Sequence, residues 1–167
     1  MIITAGDTTN VLTKVLREAE TTGPPHSFDR YLIEGFESAG LLALVEHNLA
    51  PHVLAAPLHR HSREDEYSLV IEGELGVYEN GAEVVVGSGG LVFKPRGRWH
   101  TFWNAGDEPL RILELITPAG IEQLFRKLAS PKDDYSPETL PALAAEYGCE
   151  IDFEATMPLI ERHGLTF

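Results

Sequence analysis

Between Asp29 and Thr117, short runs rich in Val, Ile, Leu and aromatic residues are separated at close intervals by Gly, Asn, Asp and Pro clusters. Punctuation of that kind indicates an all-β sandwich or barrel. It predicts strands over Tyr31–Phe36, Leu41–Asn48, Tyr67–Glu72, Glu74–Glu79, Glu83–Val86, Gly90–Lys94, His100–Asn104 and Leu110–Ile116. Asn80-Gly81 falls between two of these runs. It reads as a two-residue hairpin turn, because a type I′ turn needs positive φ at both central positions. Ser38 to Gly40 and Gly106 to Pro109 are further turn candidates.

After Thr117 the apolar period becomes helical. Ile121, Leu124, Phe125 and Leu128 form one stripe, with Thr117 as the expected cap and Pro118 in the first helical position. A second helix is expected over Leu143–Tyr147, closed by Gly148, since Pro141 argues against an earlier start. Near the N-terminus Val11, Leu12, Val15, Leu16 and Ala19 recur at helical spacing before the breaker Thr21 to Pro25. These readings divide one domain into an N-terminal extension (1–28), a β-barrel (29–118) and a helical segment packed on the barrel (119–167).

Composition narrows the partners. With 26 Asp and Glu against 13 Lys and Arg, the 167-residue chain carries a formal net charge of -13. Such a surface repels nucleic acid and anionic lipid, so neither is an expected partner. A single cysteine, Cys149, excludes an intrachain disulfide and suits a reducing cytoplasm. No stretch approaches the ~20 apolar residues that cross a bilayer, and Met1 to Asn10 lacks the pattern of a secretory signal. The expectation is a soluble, cytoplasmic protein.

Seven histidines are present, and three fall in two clusters. In His59-Arg60-His61, residues i and i+2 of an extended chain share a face, so both imidazoles can aim at one point. Three carboxylates follow on a short polar stretch, Glu64, Asp65 and Glu66. Further on, Pro95 and Gly97 shape a tight turn, and His100 opens the next strand. If His100 points inward, alternation sends Phe102 and Asn104 inward and turns Thr101 and Trp103 away. Three imidazoles with a carboxylate and no thiolate suit one divalent transition metal ion: Fe, Mn, Ni, Cu or Zn.

The arrangement His59-x-His61-x4-Glu66-x6-Gly73, then Gly89-x5-Pro95-x-Gly97-x2-His100-x3-Asn104, resembles the paired motifs of the cupin superfamily, over roughly Asp29 to Ala119. The resemblance implies a double-stranded β-helix, the jelly-roll or cupin barrel, with C-terminal helices. It also implies His59, His61, Glu66 and His100 as metal ligands, Glu66 being favoured over Glu64 and Asp65 by its spacing to Gly73. One departure is Val53, where a glycine usually precedes the first ligand strand.

The run into Ile116-Thr117-Pro118-Ala119-Gly120 and an amphipathic helix looks like small bacterial quercetin-dioxygenase-like cupins. That implies a metal-dependent dioxygenase acting on a small phenolic or enediol-like compound, with Glu66 as both ligand and proton acceptor. The alternatives are a metal-assisted isomerase or lyase, and a non-catalytic small-molecule-binding cupin. A homodimer is a further implication of the resemblance. Phe102, Ser68 and Val70 are expected in the substrate pocket by their parity with His100 and Glu66. Trp99, Trp103 and Tyr67 read as core, Glu64-Asp65 as a solvated loop, and Cys149 as a small apolar group. His26, His47, His52 and His163 read as surface or hydrogen-bonded histidines.

Overall fold

Alternating burial, clearest over 65–72 and 110–117, gives a sheet one face for the interior, and two such faces must meet to be buried. The computed structural model describes residues 21–23, 27–129 and 136–167, and there the chain forms two facing antiparallel sheets, a double-stranded β-helix. In spatial order the first sheet holds β1 (Thr21–Thr22), β2 (Ser27–Ile33), β3 (Ala43–Leu49), β10 (Leu110–Thr117), β5 (Asp65–Glu72) and β8 (Leu91–Lys94). The second holds β11 (Cys149–Asp152), β4 (Leu58–His61), β9 (His100–Asn104), β6 (Glu74–Glu79) and β7 (Ala82–Gly87). The helices are α1 (Glu122–Leu128), α2 (Leu140–Glu146) and α3 (Phe153–His163).

Val70, Leu110 and Ile112 of the first sheet meet Leu75, Val77 and Phe102 of the second in one buried apolar cluster. Each such side chain contributes about 1.5–3 kcal/mol relative to exposure. A second cluster packs Tyr31, Ala43, Val45 and Ile116 under Ile121, Leu124, Ala144 and Cys149. The hairpin between β6 and β7 turns at Asn80 and Gly81, whose φ values of 45° and 91° match the type I′ requirement.

The flanks differ from expectation in four places. The first long strand starts at Ser27 rather than Tyr31 and pairs with Thr21–Thr22, so the breaker segment itself contributes to the sheet. Thr117 ends β10 instead of capping a helix. Helix α1 begins at Glu122, whose carboxylate accepts the backbone N–H groups of Gly35 (3.2 Å) and Gly120 (2.6 Å). Helix α2 starts at Leu140, because Pro141 sits in its first turn, where the missing N–H costs nothing. Residues beyond Gly148 add strand β11 to the second sheet, and then α3, capped by Asp152 and closed by Gly164 at φ 60°. The amphipathic stretch Val11 to Ala19, and His26, lie outside the described residues.

All five residues of β9 are buried, because its outer face is covered as well as its inner one. Trp103 packs there with Leu54 and Leu165, and its ring lies 4.7 Å from that of His163 on α3. The Trp99 and Tyr67 readings fare differently: Tyr67 stacks on Phe93 at 4.7 Å, and Trp99 takes the Arg60 guanidinium over its ring at 4.9 Å. Among the described residues no helix is long and apolar enough to cross a membrane.

Candidate metal centre and its cavity

The i, i+2 parity of β4 turns His59 and His61 to the interior, while Arg60 faces out and pairs with Glu150 at 2.6 Å. His100, the first residue of β9, lies directly across from His59. Glu66 reaches the same point from β5 in the facing sheet. All four side chains are buried, and one ligand atom from each can be chosen so that they lie within 4.8 Å of one another. The imidazole centroids are 4.4 to 5.3 Å apart.

Hydrogen bonds fix two of the rings. The Nδ1 of His59 is 2.7 Å from the Pro57 carbonyl and that of His100 is 3.1 Å from the Arg98 carbonyl. A carbonyl only accepts, so both Nδ1 atoms carry the proton and both Nε2 atoms present lone pairs. Glu66 Oε2 stands 3.2 Å from His100 Nε2, and Oε1 stands 3.3 Å from His61 Nε2. Among the described residues neither His61 nitrogen has a hydrogen-bond partner, although both are buried. Lone pairs converging on a carboxylate at these distances call for a cation between them. The nitrogen and oxygen donor set fits a divalent first-row transition metal.

Charge and burial are arranged to keep His59, His61 and Glu66 unprotonated. Burial drives His59 well below the ordinary histidine value, with repulsion from His100 and His61 adding to it, and burial takes His61 down to about 4. For Glu66, burial acts upward, but Lys94, His61 and His100 outweigh it and hold the carboxyl well below the usual range. Lys94 is itself buried, 3.0 Å from Glu66 Oε2 and 3.1 Å from Glu114 Oε2. Those two carboxylates raise its pKa against the effect of burial. Glu114 accepts a second bond from Ser68 Oγ at 2.7 Å, yet burial still pushes its own pKa up.

Glu64 is not the solvated loop residue anticipated. It is buried 4.0 Å from His61 Nδ1, and burial raises its carboxyl to about 7. Its neighbour Asp65 does face outward, held by Arg96 at 2.7 Å.

The cluster opens on a cavity of about 240 Å³. His59, His61 and Glu66 line it together with Phe102 and the apolar side chains of Leu49, Ile121, Leu124, Phe125 and Ile151. Ser68 and Val70 share the inward face of β5 with Glu66 but do not reach the cavity wall: Ser68 is spent on Glu114, and Val70 packs in the apolar cluster. Cys149 also lines the cavity, and burial pushes its thiol up to about 12, in keeping with an inert packing role. Sequence reasoning missed His47 and Asp29, both on the wall. The signal was present: Ala43, Val45, His47 and Leu49 alternate, so an inward Val45 implies an inward His47. His52 and His163 are surface-side residues paired with Asp107 and Glu83.

Residues 45–116 match the family model described as a cupin domain. Over 57 residues the chain is 39% identical to the oxidoreductase iacF of Pestalotiopsis fici, spanning 34% of this chain and 28% of that protein. Over 60 residues it is 38% identical to the tetracenomycin polyketide synthase protein TcmJ of Streptomyces glaucescens, spanning 36% of this chain and 40% of that protein. The chain thus spans well under half the length of these curated relatives. Among solved structures, the polyketide cyclase RemF from Streptomyces resistomycificus superposes with a TM-score of 0.54 at 27% identity, covering 64% of this chain and 80% of that one. The barrel spacing, the four converging ligand side chains and the matched segment agree: residues 45–116 are a cupin domain.

Proposed function

We propose that this protein is a metal-dependent dioxygenase acting on a small phenolic or enediol-like compound. One observation carries the reading: a buried cluster of three histidines and a glutamate forms one end of an otherwise largely apolar cavity. A volume of about 240 Å³ falls below the roughly 300–1,000 Å³ of drug-sized ligand sites, which favours a compact one- or two-ring molecule. The oxidoreductase name of the relative iacF points the same way.

His59, His61, Glu66 and His100 would hold the ion, which supplies Lewis acidity toward a substrate oxygen and, if redox-active, a route for electrons to dioxygen. Overall the organic substrate is oxidised, dioxygen is reduced, and both oxygen atoms enter the product. Phe102 and the aliphatic wall orient the ring and exclude water. Lys94 holds Oε2 of Glu66, which favours a ligand role for that carboxylate and weighs against its acting as proton acceptor.

A second reading is a metal-assisted isomerase or lyase that consumes no oxygen. The names of TcmJ and RemF, a polyketide synthase protein and a polyketide cyclase, favour it. Elemental analysis of untagged protein, followed by oxygen-electrode assays with phenolic and enediol substrates, separates the two. Iron, copper, manganese or nickel with substrate-dependent oxygen uptake supports the dioxygenase. Turnover without oxygen uptake supports the alternative.

A further inference from the structure

The cavity carries a second polar pair, on the sheet facing the histidine strand. His47 of β3 and Asp29 of β2 are register partners, and both line the cavity. His47 Nδ1 is 2.6 Å from Asp29 Oδ1. An ionised carboxylate only accepts, so Nδ1 carries the proton and Nε2 of the neutral ring keeps a lone pair. Among the described residues Nε2 has no hydrogen-bond partner. Phe102 and Phe125 pack the imidazole at centroid distances of 5.9 and 5.8 Å, holding the ring in one orientation on the wall.

We propose that His47 Nε2 accepts the hydroxyl proton of a small phenolic or enediol occupant of this cavity, with Asp29 as the positioning residue that fixes the tautomer. The proposal rests on the substrate class given above. In the step the substrate O–H bond breaks, its electron pair stays on oxygen, and an N–H bond forms at Nε2. The resulting anion and imidazolium are opposite charges in a shielded site, and Asp29 offsets the imidazolium. The charged groups facing His47 are Asp29, Glu114 and Lys94. Burial acts against the imidazolium and Lys94 opposes it, but the two carboxylates prevail, so the ring is a stronger base than an ordinary histidine. A buried histidine that served packing alone would need no unpartnered nitrogen on a cavity wall.

Para-nitrophenol is the probe, because only its phenolate absorbs strongly in the visible. It is titrated into the whole protein as purified, with metal content matched between variants, over a pH series of about 6 to 9 that spans the histidine range. Wild-type protein is expected to hold the probe as phenolate, with its bound pKa lowered by about one unit, a tenfold change in ionisation. His47→Gln should still bind the probe but lose that shift. Asp29→Asn, which preserves the packing, should lose part of it and move the pH profile. If His47→Gln fails to fold, judged by its melting profile, the Asp29→Asn profile decides. Equal ionisation in wild type and both variants, or no uptake of the probe by wild type, overturns the proposal. The assay consumes no oxygen and involves no turnover, so failure of the dioxygenase reading leaves this result intact.

Discussion

Lys94 Nζ lies 3.0 Å from Glu66 Oε2 and 3.1 Å from Glu114 Oε2, so one buried ammonium bridges a metal-site carboxylate and a second acid behind it. Removing one partner of a buried ion pair leaves uncompensated charge in a low-dielectric interior, typically at a cost of about 3–5 kcal/mol. Lys94→Met should lower stability by about that amount in urea unfolding. Saturating zinc should reduce the deficit, since the ion supplies positive charge beside the same carboxylate.

Metal binding itself has a stability signature. A ligand at about a hundred times its dissociation constant adds about 2.7 kcal/mol to the folded state. Zinc or manganese should therefore raise the melting temperature of wild-type protein. The His59→Ala/His100→Ala double variant should show neither that rise nor bound metal by elemental analysis.

The His47–Asp29 pair makes stability depend on pH. His47 has a folded pKa raised above its unfolded value, so its contribution is fully present below about pH 6.5. That contribution is lost as pH rises through the higher folded value. Asp29→Asn should thus be most destabilising on the acidic side of neutrality, and its deficit should shrink toward alkaline pH. Denaturant midpoints of the two proteins, compared across about pH 6 to 9, measure this directly.

Gly76 faces the Trp103 indole so closely that a methyl group there would overlap the ring. Trp103, on β9, is buried against His163 of α3 and has little room to retreat. Gly76→Ala should cost about 1–3 kcal/mol through overpacking, read as a lower unfolding midpoint with metal binding retained.

Much of the barrel was legible because alternation and turn chemistry are local. Asn80-Gly81 follows from turn chemistry, and the His59/His61 parity and the inward Phe102 follow from a period of two. Other features depend on partners distant in sequence. Nothing near Glu64 announces that Gly120 closes over it, so Glu64 and Asp65 looked solvated. Pro158 inside α3 masks an 11-residue helix that tertiary packing on Trp103 sustains. His47 was readable from Val45 and Leu49, but its role depends on Asp29 across a strand pairing that only the assembled sheet supplies.

Strand β11 pairs along the whole of β4, setting Ile151 opposite His59 and Cys149 opposite His61. The strand that carries the first two ligands is therefore braced by a segment synthesised some ninety residues later, as the Arg60–Glu150 contact spans. A chain still emerging from the ribosome would hold all four ligand residues while β4 was still a free edge. Metal capture in its final geometry thus waits for β11, and damage confined to that strand should loosen ions to which it contributes no ligand.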